Sequence, residues 1–406
     1  MPSVLFSHAA LLDPLRDELL EDHHVLVEDG LVKEVSDRPL SASTARVVDL
    51  RGRTLMPGLI DLHVHVLATQ LDLAAQTLLP DALVTMRSVP ILAAMLRRGF
   101  TTVRDAGGAG IGLKCAIAEG TVAGPRLFVS GHALSQTGGH GDTWQPCGGF
   151  LPGMFLPHPG RPSNIVDGPE AMRRKVRELV AMGADVIKVC TSGGVLSPRD
   201  DPRHAHFRDD ELEVLVAEAT AAHRFAMAHA QATDGIKAAV RTGIRSIEHG
   251  IYLDDEAIAM MLERGTWLVP TLLAPQGVLN AAAAGAALSD ASKRKAAEVL
   301  DVHVESFRAA VDAGVKVAMG TDCPVSPHGT NLGELGLMVA CSAMTPSDAL
   351  VAATSSAAEL CGLDDELGTV APGKRADLVI VDGDALKVDT LGERIEQVWK
   401  DGLRAI

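Results

Sequence analysis

From residue 58 to residue 363 the chain repeats one pattern, a short apolar run followed by a longer stretch with helical spacing. Eight apolar runs can be read, with cores at Leu59–Val66, Thr101–Asp105, Arg126–Ser130, Asp185–Cys190, Phe225–His229, Ser246–His249, Thr266–Thr271 and Val315–Thr321. Between them lie helical stretches such as Met172–Met182, Asp210–Ala222 and Asp234–Thr242. The runs are continuous in Val, Ile, Leu and Ala rather than strictly alternating, which suits parallel strands covered on both faces. Eight such units predict a closed (β/α)₈ TIM barrel in preference to an open α/β sheet. Aromatic residues are only 3% of the chain, so aliphatic side chains must fill that core.

Both ends of the chain read differently. His24–Glu28 and Leu31–Val35 flank Asp29-Gly30, a strong hairpin signal because both turn residues tolerate positive φ. Strand patterns return at Ala376–Val381 and Glu396–Trp399. Residues 1–57 and 364–406 are therefore expected to form one small β-sandwich domain, with the barrel at 58–363 inserted between them.

The polar residues of the barrel runs carry the chemistry. His63 and His65 are two apart on the first strand and so share a face. Lys188 interrupts the apolar fourth run, His229 and His249 end the fifth and sixth, and Asp322 follows the eighth. Each alone could be a hydrogen-bonded core residue, and Lys188 alone could be a buried lysine paired with a carboxylate. Six such residues at the C-terminal ends of strands one, four, five, six and eight point instead to a metal site, because that end is the active face of such a barrel.

On these motifs the chain resembles the amidohydrolase superfamily over nearly its whole length: Pro57-Gly58-Leu59-Ile60-Asp61-Leu62-His63-Val64-His65, Ile187-Lys188-Val189, His229, Glu248-His249-Gly250 and Gly320-Thr321-Asp322. Arg98–Gly108 and Ser135–His140 make it most similar to the Xaa-Pro dipeptidase (prolidase)-like and imidazolonepropionase-like branch. The resemblance implies two divalent ions, zinc the expected metal, bridged by an N6-carboxylated Lys188. His63, His65 and Asp322 would hold one ion, and His229 and His249 the other. It further implies Asp322 as general base and acid at a metal-bridging hydroxide. His140 becomes a substrate contact, although a solvent-exposed loop histidine would fit its sequence position equally well. Relatives in this branch carry a tyrosine two residues after the strand-five histidine, where this chain has Gln231. Gln231 is accordingly a third candidate catalytic residue beside Asp322 and His140. His204-Ala205-His206 is a second His-x-His, read as solvated loop because Asp and Arg flank it.

The activity implied is hydrolysis of the amide C–N bond of a small dipeptide or N-acyl amino acid, Xaa-Pro-like. The alternative is another amide-like bond, in a carbamate, urea, lactam, lactone, or toxin or pesticide amide. A deaminase-type reaction fits less well, since those relatives normally use one metal and lack the strand-four lysine. A non-catalytic scaffold would show eroded ligands, and none of the six is missing. A net charge of −15 argues against nucleic acid or an anionic membrane as partner. No apolar run reaches the roughly 20 residues that span a bilayer. The N-terminus has no basic flank before a long apolar run, and the cysteines at 115, 147, 190, 323, 341 and 361 form no Cys-x-x-Cys pair. These features lead to the expectation of a cytoplasmic protein with reduced thiols, and the family likeness to that of a homo-oligomer. The long Gly- and Pro-rich stretch Gly138–Asp167 is expected to border the active site.

Overall fold

At Pro57 and Gly58 the chain leaves one sheet and enters another. The strand Thr54–Pro57 belongs to a sheet built from both termini, and Leu59–Val64 opens the barrel. The computed structural model describes residues 3–13, 18–142, 144, 162–197 and 199–406. Gly58 is there for space: a Cβ would meet the Thr101 hydroxyl of the second barrel strand at 2.1 Å.

The barrel strands are Leu59–Val64, Phe100–Asp105, Arg126–Val129, Val186–Cys190, Phe225–Ala230, Ser246–His249 and Trp267–Val269, each parallel to its neighbour where they pair. Two places depart from even strands. The third strand is split, since Arg126–Val129 pairs with the second strand whereas Ala133–Leu134 pairs with the fourth. The eighth segment closes the barrel by isolated bridges, Leu268 with Val317 on one side and Val64 with Cys323 on the other. Its irregularity has a steric cause. A Cβ at Gly320 would meet His63 Cβ at 2.8 Å, so this segment runs against the first strand without room for a regular side chain. Asp61 stitches the same seam, accepting from Thr321 N at 3.2 Å, Thr321 Oγ1 at 2.8 Å and Asn331 Nδ2 at 2.7 Å.

The helices between strands cover the barrel. Pro169–Ala181, Asp209–Ala221 and Thr233–Thr242 fall within a few residues of the predicted stretches. In Asp255–Arg264 the causes are plain: Asp254 caps the first turn by accepting from Ala257 N, and Gly265 ends the helix at φ 65°. Ala257, Ile258 and Met261 give it one buried stripe. The first three residues of the Ala281–Ala287 tract end the helix Leu273–Ala283.

The terminal domain is an eight-stranded mixed sheet whose members come from both chain ends, with Thr54–Pro57 lying between Val4–Asp13 and Leu378–Val381. The predicted hairpin is present, with Glu28 opposite Leu31 and positive φ at Asp29 and Gly30. Alternation along the strands separates two cores. Leu55, Leu378 and Ile380 join Phe6, Val25 and Trp399 in the domain's own cluster, while Met56, Val379 and Val381 pack into the barrel's. The sheet is thus anchored by the face it shares with the barrel, reinforced by Arg126 on Asp377 and Asp401, each at 2.7 Å. Among the described residues no helix is long and apolar enough to cross a membrane.

Candidate metal centre

All six predicted ligands line one cavity of about 410 Å³, together with His140 and Gln231. Strand geometry delivers them. His63 lies on the first strand and His65 one residue past its end, both lining the cavity, and Lys188 and His229 come from the paired fourth and fifth strands, whose register sets Cys190 opposite His229. His249 and Asp322 both hold positive φ, 74° and 58°. For residues other than glycine such backbone costs on the order of 1–3 kcal/mol and persists where the surroundings demand it.

The donor atoms converge. His63, His249 and Asp322 each offer one within 4.8 Å of the others. Asp322 Oδ1 lies 3.2 Å from His65 Nε2 and 3.4 Å from His63 Nε2. The His229 ring stands 4.6 Å from that of His249, centroid to centroid. Each imidazole is held by its other nitrogen. His63 Nδ1 bonds Glu248 Oε2 at 2.8 Å, His65 Nδ1 the Gly107 carbonyl at 2.9 Å, and His249 Nδ1 the Thr271 hydroxyl at 2.6 Å. His229 is reversed: its Nε2 meets the Gly193 carbonyl at 3.1 Å, so Nδ1 is the nitrogen left to offer a lone pair. Such anchoring of the far nitrogen fixes tautomer and ring direction in metal-ligating histidines.

Burial decides the protonation states. It drives His63 and His229 well below the usual imidazole range and His249 down to about 3, so all three are neutral at pH 7. Burial also opposes ionisation of Asp322, but His63, His65 and His249 outweigh it and hold the carboxyl below its usual range. Burial lowers the Lys188 amine as well, and its Nζ has no hydrogen-bond partner among the described residues. Burial works against a charged His65 too, but its hydrogen bond to Asp322 outweighs this and raises it. Three neutral imidazoles, an ionised carboxylate and an orphaned amine make a donor set that suits divalent cations. Cys190, two residues beyond Lys188 on the same strand, is no rival nucleophile, because burial pushes its thiol up to about 12.

His140 lies inside the cavity, not in solvent. It stacks on His229 at 4.2 Å, with Nδ1 2.7 Å from Ser197 Oγ and 3.2 Å from Asp200 Oδ2. Asp200 is itself clamped by Gly194 N at 3.0 Å, by Lys295 Nζ at 3.3 Å and by the Ser197 hydroxyl. Gly194 must be glycine, for a Cβ there would strike the His140 ring at 2.2 Å. Gln231 is buried with its Oε1 unpartnered among the described residues. The second His-x-His divides: His204 is exposed as expected, but His206 is buried and burial lowers it to about 4. Flanking Asp and Arg side chains suggest solvent, whereas the bridge Ser192–Ala205 turns His206 inward. Of the Gly138–Asp167 stretch, residues 143 and 145–161 lie outside the described residues.

Several supporting groups carried no legible role in the sequence. Glu248 and Arg104 sit fully buried in a 2.8 Å ion pair behind His63, with Ser246 Oγ donating to the same carboxylate at 2.6 Å. Both stood within noted motifs, but only the fold joins them. Asp200 and Lys295 had no signal at all, one lying in an irregular polar segment and the other in a polar helix.

A profile of the amidohydrolase family matches residues 54–404. This chain belongs to the amidohydrolase family. It is 35% identical to ochratoxinase of Aspergillus niger over 98% of this chain and 86% of that one. Among solved structures, a prolidase complexed with N-methylphosphonate-L-proline is 40% identical with a TM-score of 0.92, covering 99% of both chains. A Xaa-Pro dipeptidase with bound methionine is 32% identical with a TM-score of 0.90, again covering 99% of both.

In this amidohydrolase, Glu248→Gln is expected to act twice. Glutamine has one acceptor oxygen and no charge, so with that oxygen kept on Arg104 the His63 nitrogen loses its acceptor, and Arg104 loses its counter-charge in either orientation. Metal affinity should fall about 10–100-fold, the usual effect of removing such a support. Leaving Arg104 buried and under-paired should cost about 3–5 kcal/mol of stability. Metal titration and denaturant unfolding of the variant check both effects.

Proposed function

We propose that this amidohydrolase cleaves the amide C–N bond of an N-acyl amino acid or dipeptide, Xaa-Pro-like, using two divalent ions. The observation that carries the metal reading is the buried Lys188 amine, unpartnered among the described residues, in the midst of four histidines and Asp322. An amine whose pKa burial has lowered is readily present in its neutral, nucleophilic form. It can take up CO₂, forming an N–C bond and releasing one proton, and the resulting carbamate would bridge two cations. His63, His65 and Asp322 would hold one ion, His229 and His249 the other. When bound, the ions lower the pKa of water and polarise the substrate carbonyl, with zinc our choice for the metal.

The chain's own residues do the rest. Asp322, kept ionised, accepts the proton from the attacking water and returns it to the departing nitrogen. Asp200 and Ser197 orient His140 through Nδ1, leaving Nε2 for a substrate oxygen. Gln231, which lines the cavity with its Oε1 unpartnered among the described residues, takes the place where the branch has a tyrosine. Val195, Ile251, Ala274 and Val278 form an apolar wall suited to an acyl or side-chain group. Support for the substrate class comes from the prolidase solved with a proline phosphonate and from the ochratoxinase of 35% identity. Gln231 favours a second reading, hydrolysis of another amide-like bond such as a carbamate or a toxin amide, because its reach differs from that of a tyrosine.

The test is turnover by zinc-loaded protein of Xaa-Pro and other dipeptides, N-acyl amino acids, ochratoxin, carbamates and phenylureas, with metal content measured alongside. Turnover of an N-acyl amino acid or dipeptide, abolished by a chelator, is the expected result. Turnover confined to carbamates or ureas would establish the second reading instead. Asp200→Asn should raise KM roughly 10–100-fold with metal content unchanged, the worth of one charged hydrogen bond holding His140. A steady-state comparison of KM and kcat decides whether the effect lies in binding.

A further inference from the structure

We propose that the terminal sheet carries a separate cation site, held by His8, Asp22 and His24, for a zinc-class divalent ion. Each of the three offers one ligand atom, and these atoms lie within 4.8 Å of one another. None of the three is among the side chains lining the barrel cavity, and all precede the residues that match the family profile.

Register explains how they meet. The strands Val4–Asp13 and Glu18–Glu28 pair antiparallel, with Phe6 opposite Val25. Continued evenly, that register would set residue 8 opposite residue 23, on the face away from Asp22 and His24. Instead Ala9 lies opposite His23, and the original register resumes at Leu11 with Leu20. Between these points the pairing slips by one residue and slips back, so His8 moves to the face of Asp22 and His24. Positive φ at His8 and Asp22, 54° and 53°, marks the two bulged positions. The slip brings His8 Nδ1 within 2.8 Å of Asp22 Oδ1 and the His8 and His24 rings within 5.1 Å.

A surface ion pair between His8 and Asp22 would account for those two residues alone. It does not account for His24, which is only 3% exposed and whose Nε2 has no hydrogen-bond partner among the described residues. A buried, unsatisfied imidazole nitrogen beside a carboxylate and a second imidazole calls for a cation or a water. Two imidazoles and one carboxylate select zinc and its neighbours over calcium or magnesium, which prefer all-oxygen shells. His8 and Asp22 open to solvent, so ions enter freely and water completes the shell. Bound there, the ion would clip the two strands across their bulge.

The experiment uses the untagged full chain and zinc alone. Zinc is counted per chain after equilibrium dialysis, for wild type, His8→Asn and His24→Gln, with kcat measured on the same samples. Wild type should hold one more zinc than either variant, with kcat equal across all three. Competition with a chelating dye should show the extra zinc weakened at least about 10-fold by loss of one ligand. The exposed His8→Asn guards against misfolding at buried His24. As a control independent of the barrel, Lys188→Met chains should still bind this zinc and lose it on adding His8→Asn. Equal zinc content and affinity in wild type and His8→Asn would overturn the proposal.

Discussion

Lys188→Met is expected to abolish hydrolysis while leaving the protein as stable as before, or more so. Methionine follows the lysine side chain as far as its Cε and removes an amine that is buried without a partner among the described residues, a group whose desolvation costs stability. The activity should respond in the opposite direction. On the proposed reading no carbamate can form without the amine, the two ions would lose their bridge, and kcat should fall by about 10³-fold or more, the scale of metal-assisted catalysis. Metal analysis, thermal unfolding and turnover on one preparation separate these effects. A variant that keeps two ions and turns over within tenfold of wild type would sink the bridging role.

Asp322→Asn should isolate the proton-transfer role. Asp322 sits at φ 58°, a conformation that asparagine tolerates nearly as well as aspartate, so the backbone should not move. The amide can neither accept the water's proton nor return it to nitrogen. The expected loss in kcat is about 10²–10⁴-fold, the usual worth of a positioned general base. Part of any weakened metal binding would come from the lost charge beside His63 and His65, so kcat must be measured at saturating metal. If the loss then vanished, Asp322 would be a ligand only and the proton would travel by another route.

The barrel and its polar strand ends were legible in the sequence because both follow from local periodicity. A continuous apolar run covered by helices is a parallel strand almost regardless of context, and residues two apart on it share a face. That sufficed to bring His63, His65, Lys188, His229, His249 and Asp322 into one cavity, and Asp29-Gly30 into its hairpin. The eighth strand was legible in place but not in form, because the close approach of Gly320 to His63 is a contact between residues 257 positions apart.

What the sequence by itself determined is which side chains stand on which strand, since strand period and the order of strand–helix units depend only on neighbours along the chain. Tertiary structure alone decided which of them are dry, paired or orphaned. Lys188 lacks a partner among the described residues, Glu248 finds Arg104, Asp200 finds Lys295 and His140, His206 turns inward, and a one-residue slip gathers His8, Asp22 and His24. Desolvation and pairing are properties of the space around a group, filled by residues far away in sequence, and no local pattern encodes them.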